Sequence, residues 1–244
     1  MRLPLLLAAI VLAACAPGPK VSADPPTGER ELVLRMTQLP GLLPPGGGLT
    51  LPAVSVFGGG LAIVSTPQGL VQRQLTPAGV KKVSQAAADA GLTTHVDAGP
   101  AEGPDTGSVT FVVVSGGKRQ VNLIASPQGE IGALVSNLLN LDTFLGPDIA
   151  AKATPYQHTG LAIWAQPQET SAQAKPWQFA DLAAAGEPYE TGRCQLAAPD
   201  QAPKLNTVTS GDLWSSNGIT YYVILRPLLP DEEKCPRVES LAAS

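Results

Sequence analysis

The chain has few of the residues that usually carry chemistry: three cysteines, two histidines and 5% aromatic residues in 244 positions. No C-x-x-C pair with a neighbouring histidine is present, which argues against a zinc site. The scarcity of aromatic rings argues against a sugar cleft built on aromatic platforms. Basic residues are also few, 16 against 20 acidic ones for a net charge of −4, so the chain lacks the positive surface that binds nucleic acids.

Long apolar runs are missing as well, although a helix that spans a bilayer needs about 20 apolar residues. The longest run covers residues 3–14 and is interrupted by Pro4. It follows Arg2 and ends in small residues, which is typical of a secretory signal peptide. A retained helix is the alternative for this segment.

The end of this run, Leu12-Ala13-Ala14-Cys15, resembles the bacterial lipobox. The resemblance implies that residues 1–14 are a cleaved lipoprotein signal peptide and that Cys15 receives a diacylglycerol. Two or more acyl chains anchor a protein stably, since each buried CH₂ contributes about 0.8 kcal/mol. We therefore expect an extracytoplasmic protein whose lipid on Cys15 holds it to the cell membrane. A cleaved signal without lipid is the alternative.

The other two cysteines, Cys194 and Cys235, form an even pair in a chain that we expect to be exported. A disulfide between them would close a loop of about 42 residues and stabilise the fold by roughly 4 kcal/mol. Two free buried thiols are the alternative.

Residues 15–30 are polar and rich in proline, without apolar periodicity. We interpret them as the lipidated cysteine followed by a flexible tether. The alternative is an ordered arm packed on the domain. The rest of the chain is long enough for one large core. We expect a single globular α+β domain over 31–244, with possible sub-halves at 31–150 and 151–244.

Several segments predict strands. In 31–37 the apolar Leu32, Leu34 and Met36 alternate with Val33, Arg35 and Thr37, which predicts a half-buried strand. Gly58-Gly59-Gly60 and Gly116-Gly117 each separate two β-rich runs, which predicts two hairpin turns. Residues 159–166 and 218–230 predict two further strands, the second ending at Pro227.

Three segments predict helices. Thr76 is a suitable N-cap, Pro77 suits the first helical position and Gly91 suits the position after the last turn. A longer apolar stripe predicts a second helix over 130–146, and 176–186 predicts a short third one. The fold class is therefore α+β, with antiparallel hairpins, packed helices and long Pro/Gly-rich loops. The similar segments 66–69 and 126–129 raise the possibility of a duplicated ββα unit.

Three features together resemble an uncharacterised family of actinobacterial secreted lipoproteins. They are the lipobox, the hairpin VSVFGGGLAIV, and the closing segment RPLLP followed by Cys235. The resemblance implies an envelope location and a related fold, and it supplies no catalytic residue. The family's hairpin turn reads Gly-Asp-Gly where this chain has Gly58-Gly59-Gly60, so the resemblance implies no carboxylate function at the turn.

The candidate catalytic groups lie in unpromising settings. His95 precedes Asp97 by two positions, His158 lies in a turn-like segment, and the chain has no G-x-S-x-G motif. Gly116-Gly117-Lys118 is followed by a strand rather than a helix, so it predicts a hairpin turn and not a phosphate-binding loop. We therefore name no catalytic residue, metal site or cofactor.

The remaining charges near the C-terminus predict structural roles. Asp231-Glu232-Glu233 lacks the spacing of a calcium loop and is interpreted as a solvated tail. Arg226, at the end of an apolar strand, is expected to pair with Asp231 or Glu232.

Taken together, these features predict a non-catalytic envelope lipoprotein that binds a ligand or supports an assembly. Its expected partners are the membrane, through the lipid on Cys15, and an unknown envelope protein or cell-wall component, but no nucleic acid. One alternative is a cell-wall or surface hydrolase with scattered carboxylates or His95 in its site. Another is an inhibitor of an exported enzyme that acts through a rigid loop such as 40–50.

Overall fold

The computed structural model describes residues 22–96, 106–183, 186–198, 200–205 and 210–239. Two sheets organise these residues, one of seven strands and one of six. Neighbouring strands run antiparallel, apart from one parallel pairing at an edge of the second sheet. The predicted α+β class with antiparallel hairpins is confirmed.

The first sheet is built mainly from the part of the chain before residue 125. Its strands are β1 (Leu32–Leu39), β2 (Val54–Phe57), β3 (Leu61–Thr66), β4 (Gly69–Gln74), β5 (Ser108–Ser115), β6 (Lys118–Ile124) and β7 (Thr154–Pro155). They lie in the order β6-β5-β1-β2-β3-β4-β7. Both predicted hairpins are present, as β2-β3 and β5-β6. Gly60, Gly116 and Gly117 have φ values of 89°, 55° and 70°, the left-handed conformation that such turns favour.

The central strand β1 is buried on both sides, and the prediction of a half-buried strand is wrong. Strands β2 and β5 pair with its two edges, and seven of its eight residues are buried. Leu34 and Met36 belong to the core beneath the helices. Arg35 and Thr37 lie on the opposite side and are also buried, because the C-terminal part of the chain covers that side.

Helix α1 (Pro77–Asp89) covers one face of the first sheet and begins and ends where the sequence predicts. The Thr76 hydroxyl accepts a hydrogen bond from the Gly79 amide at 3.1 Å. Gly91 has a φ of 78°, and Leu92 is fully buried across the helix end. Thr76 is therefore the N-cap of α1, and Gly91 ends the helix in the left-handed conformation.

The second predicted helix is two helices, α2 (Gly129–Leu139) and α3 (Leu141–Leu145). The break lies at Asn140, which has the non-helical ψ of 50°. Its side-chain amide donates to the Ser136 carbonyl at 2.9 Å, and its backbone amide donates to the same carbonyl at 3.1 Å. Among the described residues, no helix has the length and apolar composition that a bilayer span requires.

The strand-strand-helix unit does occur twice, as β3-β4-α1 and β5-β6-α2. The similar segments 66–69 and 126–129, however, do not lie at equivalent places. The first forms the turn between β3 and β4, whereas the second leads from β6 into α2. The likeness of these two segments therefore gives no support to a duplication.

The second sheet follows a short connection over 156–160, close to the predicted boundary at 150. Its elements are β8 (Leu161–Pro167), β9 (Lys175–Pro176), β10 (Glu187–Tyr189), β11 (Gly192–Leu196), α4 (Ala202–Leu205), β12 (Asp212–Ser216) and β13 (Ile219–Pro227). The strand order is β10-β11-β8-β13-β12-β9. Strands β8 and β13 confirm the two strands predicted in this part.

The prediction of a helix over 176–186 is wrong, since none of its described residues is helical. Residues 177–183 form irregular backbone with a bend and a turn, and the Trp177 indole donates to the Ala180 carbonyl at 2.9 Å. The Trp177 ring packs edge-on against Trp214 with the ring centres 5.6 Å apart. Ring packing against the sheet therefore replaces a regular helix here.

After β13, residues 228–239 form a segment that we call the strap, which runs between the two sheets. Leu229 packs on the first sheet beside Phe57. Cys235 packs on the second sheet beside Trp164. Because the strap contributes to both cores, it joins the two sheets.

Residues 22–30 lie against the first sheet. Ala23 is buried, and its amide donates to the Gln85 side chain of α1 at 3.2 Å. The Asp24 amide donates to Ser115 Oγ at 3.0 Å. This part of the predicted flexible tether is instead an ordered arm, as the alternative interpretation has it. The remainder of the tether, with Cys15, lies outside the described residues.

Candidate functional site

A cleft with a volume of about 940 Å³ opens where the strap meets the two sheets. We call it the charged cleft, and it is lined by Arg35, Arg119, Glu187 and strap residues 231–237 and 239. Nine of these eleven residues are charged, whereas pockets for apolar molecules are lined mainly by hydrophobic and aromatic side chains. The volume lies within the range of small-molecule sites. The lining therefore suits a polar, ionic ligand.

Arg35 forms the floor of the charged cleft from the middle of β1. Its Nη2 lies 2.7 Å from an Asp231 carboxylate oxygen, and its Nε donates to Ser55 Oγ on β2 at 3.2 Å. Both partners of the ion pair are largely buried, with side chains 11% and 19% exposed. The pair fastens the start of the strap to the central strand of the first sheet.

A second and more deeply buried ion pair lies beside it. Arg226, the penultimate residue of β13, donates to the two carboxylate oxygens of Glu232 at 2.6 and 2.9 Å. The two side chains are only 4% and 8% exposed. The Leu229 amide also donates to Glu232 at 2.8 Å, and Arg35 Nη1 lies 3.6 Å away. Glu232 is thus the shared anion of two arginines.

The surroundings of Glu232 keep its carboxyl group ionised. Burial opposes the charged form, but the hydrogen bonds and charge of Arg226, the charge of Arg35 and the Leu229 amide outweigh it. The pKa of Glu232 is therefore held below its usual value. The two parallel hydrogen bonds between Arg226 and Glu232 are the bidentate geometry in which an arginine binds a carboxylate most strongly.

The disulfide predicted between Cys194 and Cys235 is present. The two sulfur atoms are 2.07 Å apart, and the residues are separated by 41 positions. Cys194 lies on β11 and Cys235 in the strap, and both are buried. The bridge fastens the middle of the strap to the second sheet.

The far part of the strap is fixed to the second sheet by Tyr189 of β10. Its hydroxyl donates to the Pro236 carbonyl at 2.8 Å, and burial raises its pKa to about 12. The Arg237 guanidinium lies over the Tyr189 ring, 4.4 Å from the ring centre. A hydrogen bond from the Val238 amide to Gly48 follows at 3.1 Å.

The rim of the charged cleft carries a further set of charges. Arg119, at the turn end of β6, donates from its Nε and Nη2 to the two carboxylate oxygens of Glu239. Glu187, Glu233 and Lys234 are exposed. Among the described residues, none of these last three has an ion-pair partner. The rim therefore offers both signs of charge to a ligand.

The charged cleft contains the acidic cluster 231–233 and Cys235, but neither histidine that sequence reasoning considered. His95 is exposed after α1 and His158 lies before β8, and neither lines the cleft. Asp97, the proposed neighbour of His95, lies outside the described residues. Gly116-Gly117 form the β5-β6 hairpin turn, as predicted.

Arg226 was expected to pair with Asp231 or Glu232, and it pairs with Glu232. The prediction that 231–233 form a solvated tail is wrong for Asp231 and Glu232. These two carboxylates are largely buried because two strand arginines face them across the junction of the sheets. Sequence reasoning missed Arg35 altogether. The available signal was a charged residue within the otherwise apolar run of residues 32–36.

The loop proposed for an inhibitor, 40–50, is fixed at both ends. It follows β1 directly, and at its other end the Glu190 carboxylate accepts from the Gly46 and Gly48 amides at 2.9 and 2.8 Å. Between these points Leu42 and Leu43 are 76% and 37% exposed. The loop therefore presents two apolar side chains on a fixed base.

The lowered pKa of Glu232 does not suit this residue to act as the proton donor in hydrolysis. Glycoside hydrolysis needs one carboxyl group whose raised pKa keeps it protonated, and Glu232 has the opposite shift. In the described part of the chain, no group of three or more His, Cys, Asp and Glu side chains is placed to hold a metal ion. What the geometry provides is a fixed ionic surface.

Comparison with known proteins gives no further assignment: no protein family, no curated protein and no solved structure matches this chain.

Proposed function

We propose that this protein is a lipoprotein of the cell envelope that binds a polar, charged ligand in the charged cleft without changing it chemically. Residues 1–14 serve as its signal peptide, and a lipid on Cys15 anchors it to the outer face of the membrane. The ligand is a cell-wall component or part of another envelope protein.

The observation that carries this proposal is the construction of the charged cleft. Two buried ion pairs and a disulfide fix the strap between the sheets, which leaves the cleft a fixed shape. A site that is already in its binding geometry loses less conformational entropy when a ligand enters. The paired arginines and carboxylates hold the strap in place, so the exposed rim charges are left to meet the ligand.

The test is recovery of the ligand from cells. Wild-type protein, the rim variant Lys234→Gln and the control variant Lys152→Gln, an exposed lysine outside the charged cleft, are purified from envelope in mild detergent. Co-purifying small molecules and cell-wall fragments are identified by mass spectrometry. We expect the same compound with wild type and control and a clear loss with Lys234→Gln. Equal recovery from all three proteins, or conversion of the compound by wild type, would overturn the proposal.

A second function, inhibition of an exported enzyme, is favoured by the exposed leucines of the 40–50 loop. The loop lies at the end of β1, whereas Asp24 contacts the opposite end of the sheet at Gly116. Eight strand residues, about 26 Å, separate these ends. An anchor attached through the arm would thus leave Leu42 and Leu43 facing away from it.

The test of this second function uses the Leu42→Ser/Leu43→Ser variant, with Ile219→Ser as the matched control because Ile219 is another exposed apolar residue. Each purified protein is added to an envelope extract, and the hydrolase activities of the extract are measured. Inhibition by wild type and control but not by the loop variant supports the function. An extract that none of the proteins inhibits excludes it for the enzymes assayed.

A further inference from the structure

The charges of the cleft fall into two classes that differ in whether they are already neutralised. Two ion pairs join lining residues, Arg35 with Asp231 and Arg119 with Glu239. A third joins the lining residue Glu232 to Arg226, which does not itself line the cleft. The remaining lining charges are Glu187, Glu233, Lys234 and Arg237. Within the described residues no ion pair involves any of these four.

The four unpaired charges are two anions and two cations. Glu187 lies on the edge strand β10, and Arg237 stacks over Tyr189 on the same strand. Glu233 and Lys234 are neighbours on the strap and both are exposed. An ionic ligand is bound best when each charge meets its opposite, so a ligand with one sign of charge would meet two repelling groups here.

We propose that the charged cleft binds a short peptide that carries both a free amino group and a free carboxylate, an inference that rests on the proposed binding function. The amino group is recognised by Glu233 and Glu187, and the carboxylate by Lys234 and Arg237. A volume of about 940 Å³ has a linear dimension on the order of 10 Å, which three extended residues span at about 3.3 Å each. The lining has no aromatic ring for a sugar to stack on.

The test uses four probes that share one backbone: trialanine, N-acetyl-trialanine, trialanine amide, and trialanine blocked at both ends. Their affinities for wild-type protein are measured by titration calorimetry at low ionic strength. We expect trialanine to bind most tightly. Blocking either end should weaken binding by about fivefold, the size of one partly exposed charge pair.

Two adjacent substitutions identify which group recognises which end. Glu233→Gln should weaken the binding of trialanine but leave the binding of N-acetyl-trialanine unchanged. Lys234→Gln should weaken the binding of trialanine but leave the binding of trialanine amide unchanged. Both residues are exposed, so the variants should keep the wild-type melting temperature, and Lys152→Gln serves as the control outside the cleft.

Each outcome decides the inference. The crossed pattern of losses supports it. If a peptide with one charge binds more tightly than trialanine and loses affinity in a rim variant, the ligand class is wrong while the binding function stands. If none of the four peptides binds, the inference is also overturned, and the compound recovered from the envelope then decides the binding function separately.

Discussion

Removing the buried guanidinium of Arg226 should destabilise the fold strongly, because its partner Glu232 is largely buried and would lose its main counter-charge. In the Arg226→Met variant Glu232 keeps a carboxylate that is only 8% exposed and loses hydrogen bonds of 2.6 and 2.9 Å. Breaking a buried ion pair from one side costs about 3–5 kcal/mol. We expect a loss near 3 kcal/mol, since Arg35 at 3.6 Å and the Leu229 amide still stabilise the anion.

The assay is urea unfolding at pH 7, followed by tryptophan fluorescence, because the fully buried Trp164 becomes exposed on unfolding. The control is Lys175→Met, which breaks the ion pair with Asp212 at 2.5 Å, where the lysine side chain is 59% exposed. Exposed pairs contribute about 1 kcal/mol or less. The double variant Arg226→Met/Glu232→Gln removes both charges and should regain at least half of the lost free energy of unfolding.

The ion pair of Arg226 with Glu232 also predicts how the free energy of unfolding depends on pH. The folded-state pKa of Glu232 is lowered, so it lies below the unfolded value of about 4.3. The stabilisation by the pair is therefore fully present above that pH and disappears as the pH falls through the folded-state pKa. Arg226→Met should weaken this dependence. A loss in Arg226→Met no larger than that in Lys175→Met, or a double variant less stable than the single one, would refute the reasoning.

Three further predictions concern the fold. Cys194→Ser should lower the stability by up to about 4 kcal/mol and make the Cys235 thiol reactive in a thiol-labelling assay; an unchanged melting temperature, with Cys235 already reactive in wild type, would show that no bridge forms. Thr76→Ala should cost about 1 kcal/mol in urea unfolding, whereas Thr76→Ser should cost less, and equal losses would contradict the capping role. Tyr189→Phe should cost about 1 kcal/mol through the lost bond to the Pro236 carbonyl, and no measurable loss would mean that this bond does not hold the strap.

Local signals in the sequence predicted much of the fold. The glycine turns and the limits of α1 depend on a few neighbouring residues, such as Thr76 and Gly91, so they can be predicted without knowledge of the rest of the chain. The helix predicted over 176–186 failed because ring contacts between Trp177 and Trp214 outweigh a weak local preference. Such contacts join residues 37 positions apart and leave no local pattern.

The charged cleft was the least predictable part for the same reason. The ion pair of Arg35 with Asp231 joins residues 196 positions apart. The neighbouring pair of Arg226 with Glu232 joins residues only 6 positions apart. Only the second pairing was predicted. The alternation in β1 indicated that Arg35 would face water, because no local signal shows that the strap covers this strand. Asp231 and Glu232, expected in a solvated tail, are therefore part of the wall of the charged cleft.

The lipid anchor can be tested most directly by intact-mass measurement of the protein purified in detergent from the envelope of cells that express the full chain. The account predicts a polypeptide that begins at Cys15 and carries the added mass of a diacylglyceryl group, and it predicts that Cys15→Ala yields no acylated form. A wild-type protein that still begins at Met1, without any acyl group, would contradict the envelope location and the proposed function that depends on it.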